Sequence, residues 1–100
     1  MKTIILQQAF EELNDAIEYY EEQQVGLGLK LKDEVDRHVR WIANNSTVPR
    51  IRSGGYHRVN LKTFPYYIAY IIREDTLWIL AVAHGHRQPR YWVSRKNEIR

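Results

Sequence analysis

Apolar residues change their spacing repeatedly along this chain, and each change marks an element. Lys2 to Gln7, KTIILQ, is short and β-branched, which predicts a strand. From Gln8 the apolar residues Ala9, Leu13, Ala16, Ile17 and Tyr20 recur at helical spacing. Glu11, Glu12, Asp15, Glu18 and Glu22 fall away from that stripe, so an amphipathic helix with an acidic, solvated outer face is expected. Val25 to Gly28, VGLG, interrupts it. Leu27, Leu31, Val35, Val39 and Ile42 then form a second stripe that NNSTVP ends at Pro49. Two helices joined by so short a turn form a hairpin.

Past a loop carrying Arg50, Arg52, Gly54 and Gly55, three strand-like runs follow: YHRVNL, YYIAYII and LWILAVA, separated by KTFP and REDT. Connections this short predict an antiparallel meander. The fold class is therefore α+β, in the order βααβββ, with a short C-terminal helix, and residues 1–100 make one domain. The middle and last runs are apolar at nearly every position, as central strands are when both faces are covered or when one face awaits a partner.

The loop lengths fix an expected register. With KTFP and REDT as hairpin loops, Leu61 faces Tyr66, Asn60 faces Tyr67, Ile72 faces Leu77, and Tyr67 lies near Val82. One face then holds Val59, Leu61, Tyr66, Ile68, Tyr70, Ile79 and Ala81 against the helices. The other holds Arg58, Asn60, Tyr67, Ala69, Trp78, Leu80 and Val82 and runs on to His84.

Composition narrows the class. There is no cysteine, which removes disulfides and thiolate metal sites and agrees with a cytoplasmic setting. The apolar runs are far shorter than a membrane span and the N-terminus carries no signal-peptide pattern, so no membrane partner is expected. Charge is segregated. Met1 to Pro49 holds five Lys or Arg against nine Asp or Glu, whereas Arg50 to Arg100 holds ten against three. A basic half fits a partner that presents phosphates or carboxylates, or it is simply a solvated surface.

The candidate chemistry gathers after the last strand, in HGHRQPRYW. Arg58 and Arg87 offer planar forks of donors for a phosphate or carboxylate. His84 and His86 alternate, so on an extended segment they point oppositely and do not share a metal; no metal or cofactor is expected. Ser46, Ser53 and Ser94 have no nucleophile elbow and SGGY reads as a turn. What remains is acid–base work by His84 or His86, with arginine stabilising a pentacovalent phosphate. Tyr67, Tyr91 and Trp92 are either base-stacking platforms or core.

Taken together, the βααβββ order, AFEELNDAIEYY, YHRVNL followed by FPYYIAYII, and above all LAVAHGHRQPRYW resemble the RelE/ParE family of type II toxin–antitoxin toxins over nearly the whole chain. The resemblance implies a small cytoplasmic growth-inhibiting toxin, of the kind found in plasmid-stabilising modules. It also implies a cognate antitoxin that wraps over the toxin, with operator DNA met only through that antitoxin. RelE-like members cleave mRNA on the ribosome without a metal, using a basic cluster on the sheet and a C-terminal arginine and tyrosine. ParE-like members inhibit DNA gyrase, are not enzymes in that role, and lack the full cluster. Where the ribonucleases carry two lysines on one strand, this chain has Arg58 and Asn60; where they carry an arginine on the next, it has Tyr67. Arg87 matches the later arginine and Tyr91 approximates the terminal tyrosine. The balance favours ParE-like action on gyrase, with ribosome-dependent cleavage as the alternative and a non-toxic nucleic-acid-binding module as a third reading. A ribonuclease would work through Arg58, Arg87, His84 and Tyr91. Target or antitoxin contacts are expected at Arg58, Asn60, Tyr67, Trp78, Leu80, His86, Arg90 and Trp92.

Overall fold

The computed structural model describes residues 1–87 and 91–99. Its elements are β1 (Lys2–Ile5), α1 (Gln7–Gln23), α2 (Leu27–Asn44), β2 (His57–Asn60), β3 (Tyr66–Arg73), β4 (Thr76–His84) and a C-terminal 3₁₀ helix (Val93–Glu98). They form one four-stranded sheet in the order β1-β4-β3-β2, antiparallel through β2, β3 and β4, with β1 running parallel beside β4. The α1–α2 hairpin is thus the crossover between β1 and the meander. This is the α+β arrangement expected from the sequence, including the short helical turn at the C-terminus.

Two contacts set the hairpin. Gly26 takes the left-handed conformation (φ 89°), and the Glu21 carboxylate accepts hydrogen bonds from the N–H groups of Gly26 (2.8 Å) and Gly28 (3.0 Å), capping the start of α2. Gly28 is required for a different reason. A Cβ there would sit 2.5 Å from the Ile17 carbonyl oxygen, so the helices approach more closely than any side chain permits.

The sheet buries both faces. Ala9, Leu13 and Ala16 of α1 and Leu31, Val35 and Ile42 of α2 pack on Leu61, Phe64, Ile68, Tyr70, Leu77, Ile79 and Val82. On the opposite face Tyr67, Ala69, Ile71, Leu80, Ala81 and Ala83 are covered by Tyr56, Trp92 and Ile99. The uninterrupted apolar runs of β3 and β4 are explained by this second core, which the chain supplies from its own C-terminal segment.

The register holds from β2 through the first half of β4 and then slips. Asn60 pairs with Tyr67 and Ile72 with Leu77, and the Leu61 N–H bonds the Tyr66 carbonyl, as the loop lengths require. Between Ala69 and Tyr70 the partners jump from Ala81 to Ile79, so Leu80 is an extra residue bulged out of β4. One extra residue exchanges the faces of everything that follows. Ala81 therefore joins the second core instead of the helix side, Val82 joins the helix side, and Tyr67 pairs with Ala83 rather than lying near Val82. His84 likewise crosses to the helix side, opposite Tyr66.

Candidate functional site

The bulge decides where the chemistry goes. Beyond Ile79, whose carbonyl accepts the Leu6 N–H, β1 has ended and the backbone of β4 meets side chains in place of a strand. Glu12 of α1 accepts the Val82 N–H (3.1 Å), and Arg95 of the 3₁₀ helix donates to the Leu80 carbonyl (3.0 Å). The same two side chains bind each other through both carboxylate oxygens, at 3.0 and 3.1 Å. Glu12 was expected on the solvated face of α1. It points inward because the bulged edge leaves a donor and an acceptor that this partly buried ion pair satisfies together.

Beside Glu12 lies a hollow of about 300 Å³ lined by Glu12, Asp15, Tyr19, Tyr66, His84, Arg87 and Tyr91, among others. His84 packs edge-on against Tyr66 with ring centroids 5.4 Å apart. β4 stops at His84 and the chain turns through Gly85, so His86 folds back: its N–H donates to His84 Nδ1 (3.3 Å) and the two rings stand 5.3 Å apart. The opposite orientation expected of an extended segment is overturned by that turn. Among the described residues no three His, Asp or Glu side chains come together as a metal site. The Arg87 guanidinium lies 4.1 Å over the Tyr91 ring, an arrangement that leaves its N–H edge open to an anion. Burial, with the Glu12 carboxylate close by, pushes Tyr91 up to about 12, so its hydroxyl stays protonated at neutral pH and is a donor there.

The other expected residues sit elsewhere. Arg58 lies 3.9 Å over the Tyr67 ring and donates through Nε to Asn60 Oδ1 (2.9 Å), on the second face of the sheet. Tyr67 is fully buried; its hydroxyl accepts the Trp92 indole N–H (2.8 Å) and donates to the Arg87 carbonyl (3.4 Å). Burial raises Tyr67 despite the indole hydrogen bond. Leu80 and Trp92 are also fully buried, so neither presents the contact surface that was expected of them. Trp78 is partly buried, and its indole nitrogen has no hydrogen-bond partner among the described residues. Arg90 lies outside the described residues. His84, Arg87 and Tyr91 therefore share one hollow, and Arg58 belongs to the opposite face.

Two structural carboxylates went unrecognised in the sequence, Glu12 at the hollow and Glu34 at the β2–β3 loop. Glu34 is buried, and its oxygens accept the N–H groups of Lys62 (2.7 Å) and Thr63 (3.1 Å), which pins the β2–β3 loop. A signal was present in the spacing: Glu34 lies three residues after Leu31 and seven after Leu27 on α2, and Glu12 three after Ala9 and four before Ala16 on α1, although the equally spaced Glu21, four after Ile17, stays exposed.

Comparison with known proteins settles the kinship. The family model described as the ParE toxin of the type II toxin–antitoxin system, parDE, matches residues 4–89. The chain belongs to this ParE toxin family. A solved structure described as the chromosomal ParDE toxin–antitoxin system from P. aeruginosa superimposes with a TM-score of 0.75 at 15% identity, covering 84% of this chain and 95% of that one. The fold is thus a ParE-like fold. No curated protein sequence matches. The hollow at the end of β4 brings His84, Arg87 and Tyr91 together.

Proposed function

We propose that this chain is the toxin of a type II toxin–antitoxin module, that a cognate antitoxin neutralises it, and that it acts on DNA gyrase in the manner of ParE. The observation that carries the choice of target is the covered second face. A ribonuclease of the RelE type needs cations on that face to hold a scissile phosphate. Here Trp92 and Ile99 fill it, Tyr67 is engaged by Trp92, and the Arg58 guanidinium is stacked on Tyr67. Neither Asn60 nor Tyr67 carries a positive charge at neutral pH, and loss of one preorganised donor typically costs about 10²- to 10³-fold in rate. Induced expression without a partner is expected to slow bacterial growth, a small neighbouring gene to restore it, and the purified protein to inhibit supercoiling by gyrase. Unimpaired growth at confirmed folded expression would overturn the toxin reading.

The second reading, ribosome-dependent cleavage, is favoured by one observation, the meeting of His84 and Arg87 at a single hollow, with the His86 ring beside His84. In cleavage by a 2′-hydroxyl, a histidine can take the hydroxyl proton or give one to the leaving 5′-oxygen, and a guanidinium can stabilise the charged phosphate. Codon-positioned cuts on programmed ribosomes, lost on His84→Ala, would select it.

A further inference from the structure

Between Asp36 and Glu74 the chain holds no acid and seven Lys or Arg. Two of these, Arg50 and Arg52, stand in the loop that leads from α2 to β2, and both are exposed. The loop is tied down along its length. The Tyr70 hydroxyl donates to the Ser46 carbonyl (2.9 Å) and His57 donates through Nδ1 to the Pro49 carbonyl (2.7 Å). Past Arg50 the chain closes a tight turn, in which the Arg52 N–H bonds the Tyr56 carbonyl (2.7 Å) and the Gly55 N–H the Arg52 carbonyl (2.9 Å).

A third cation holds the tip of this turn. Lys96 of the 3₁₀ helix donates to the Gly54 carbonyl, and an ammonium so engaged has donors to spare. Gly54 and Gly55 both take left-handed conformations, φ 103° and 78°, and a Cβ on Gly55 would sit 3.1 Å from the Lys96 nitrogen. Among the described residues no carboxylate pairs with Arg50, Arg52 or Lys96. Positive charge is therefore gathered on a pinned turn whose exposed tip, Ser53 to Gly55, has nothing bulky to keep a chain of phosphates at a distance.

We infer that this turn, Arg50 to Gly55 with Lys96, binds the phosphate backbone of duplex DNA without reading its sequence. Arg50 and Arg52 present their forks to successive phosphates, Lys96 adds a point charge, and Ile51, 64% exposed between the arginines, meets a deoxyribose. A single strand would want an exposed ring to stack on, and the rings beside the turn, Tyr56 and Trp92, are buried. An acidic protein would meet the same cations but needs anchors in a pocket, and the hollow at His84 and the concavity between α2 and β2 both lie off the turn. A bilayer would bury little here, since the loop offers it two exposed aliphatic side chains, Val48 and Ile51. Binding of this kind carries no operator specificity.

The test uses the whole protein and a short labelled duplex of mixed sequence, with affinity followed by fluorescence anisotropy across a range of salt. Three phosphate contacts predict a Kd of about 10⁻⁶–10⁻⁴ M at physiological salt and a slope of log affinity on log salt of about −2.7. Arg50→Gln with Arg52→Gln is expected to leave melting unchanged, to flatten that slope by about 2 and to weaken binding about tenfold or more at low salt. Lys2→Gln with Lys30→Gln removes the same charge from exposed positions elsewhere and is expected to leave affinity within about twofold. On the unmodified protein the duplex is expected to shift the amide resonances of Ser53, Gly54 and Gly55. Equal losses from the two pairs of substitutions, resonance shifts that spare the turn, tighter binding of a single strand or of phosphatidylglycerol vesicles, or displacement of the duplex by polyglutamate at equal charge would overturn the inference. DNA binding is independent of the toxin's target: gyrase inhibition by a protein that binds no DNA would overturn the inference and spare the gyrase reading, whereas DNA binding without inhibition would do the opposite.

Discussion

Glu12, Glu21 and Glu34 share one use: each carboxylate accepts backbone N–H groups that secondary structure leaves unmet, at the β4 bulge, at the start of α2 and in the β2–β3 loop. Hydrogen bonds to a charged acceptor contribute about 1.5–3 kcal/mol each, and deleting the acceptor strands the donors. Glu34→Ala is therefore expected to destabilise the fold by about 2 kcal/mol or more, read from chemical denaturation, with little change from Glu18→Ala on the exposed side of α1. An indifferent Glu34→Ala would refute the pinning role. The tyrosines make a second prediction. Burial pushes Tyr70 and Tyr91 up to about 12 from an ordinary value near 10. A pKa raised on folding stabilises below the unfolded value, so their contribution is intact up to about pH 10 and is lost as pH climbs towards 12. Tyr70→Phe and Tyr91→Phe are expected to flatten the fall in melting temperature across that window, and an unchanged slope would count against both assignments. Helical periodicity pointed to the buried apolar residues but could not show which of several glutamates turn inward. That depends on where a distant strand leaves its backbone unpaired.

At the scale of elements, the hairpin between β3 and β4 is tighter than a four-residue loop. Arg73 pairs with Thr76, and Glu74 and Asp75 both take positive φ, 52° and 58°. A two-residue turn of this kind prefers Asn-Gly, since L side chains other than Asn and Asp strain there. Replacing Glu74 and Asp75 by Asn and Gly is expected to raise stability by about 0.5–1 kcal/mol in thermal unfolding, and a loss would show that the two acids make contacts worth more than their strain. The pairing was legible in the sequence because either loop length leaves Ile72 opposite Leu77. The bulge at Leu80 was not, since no glycine or proline marks it in TLWILAVAH and both faces there are apolar. One unmarked residue moved His84 from one side of the sheet to the other and carried the candidate site with it.

Across the whole molecule, the C-terminal segment does what a partner was expected to do on the second face. Arg95 holds it to Glu12 and Leu80, Arg73 donates to the Ile99 carbonyl (2.9 Å), Lys96 donates to the Gly54 carbonyl, and Trp92 fills the space against Tyr56 and Tyr67. Trp92→Ala is expected to cost about 3–5 kcal/mol, the range for a buried aromatic, and to be read as a large drop in melting temperature. A small drop would mean that the face tolerates uncovering. Composition told of a basic half and of apolar strands needing cover, and it left open whether the cover came from this chain or another. HGHRQPRYW combines both roles, chemistry in His84, His86 and Arg87 and packing in Trp92, which is why its residues looked like a single site and divide into two in the fold.

That division bears most directly on the toxin's target, and one paired measurement on a single folded preparation tests it: inhibition of gyrase supercoiling beside mRNA cleavage on programmed ribosomes. With the second face filled and Arg58 stacked on Tyr67, supercoiling is expected to be inhibited and mRNA to remain intact, and Arg87→Ala to weaken the inhibition while melting is unchanged. Codon-positioned cleavage with supercoiling unaffected would contradict the account.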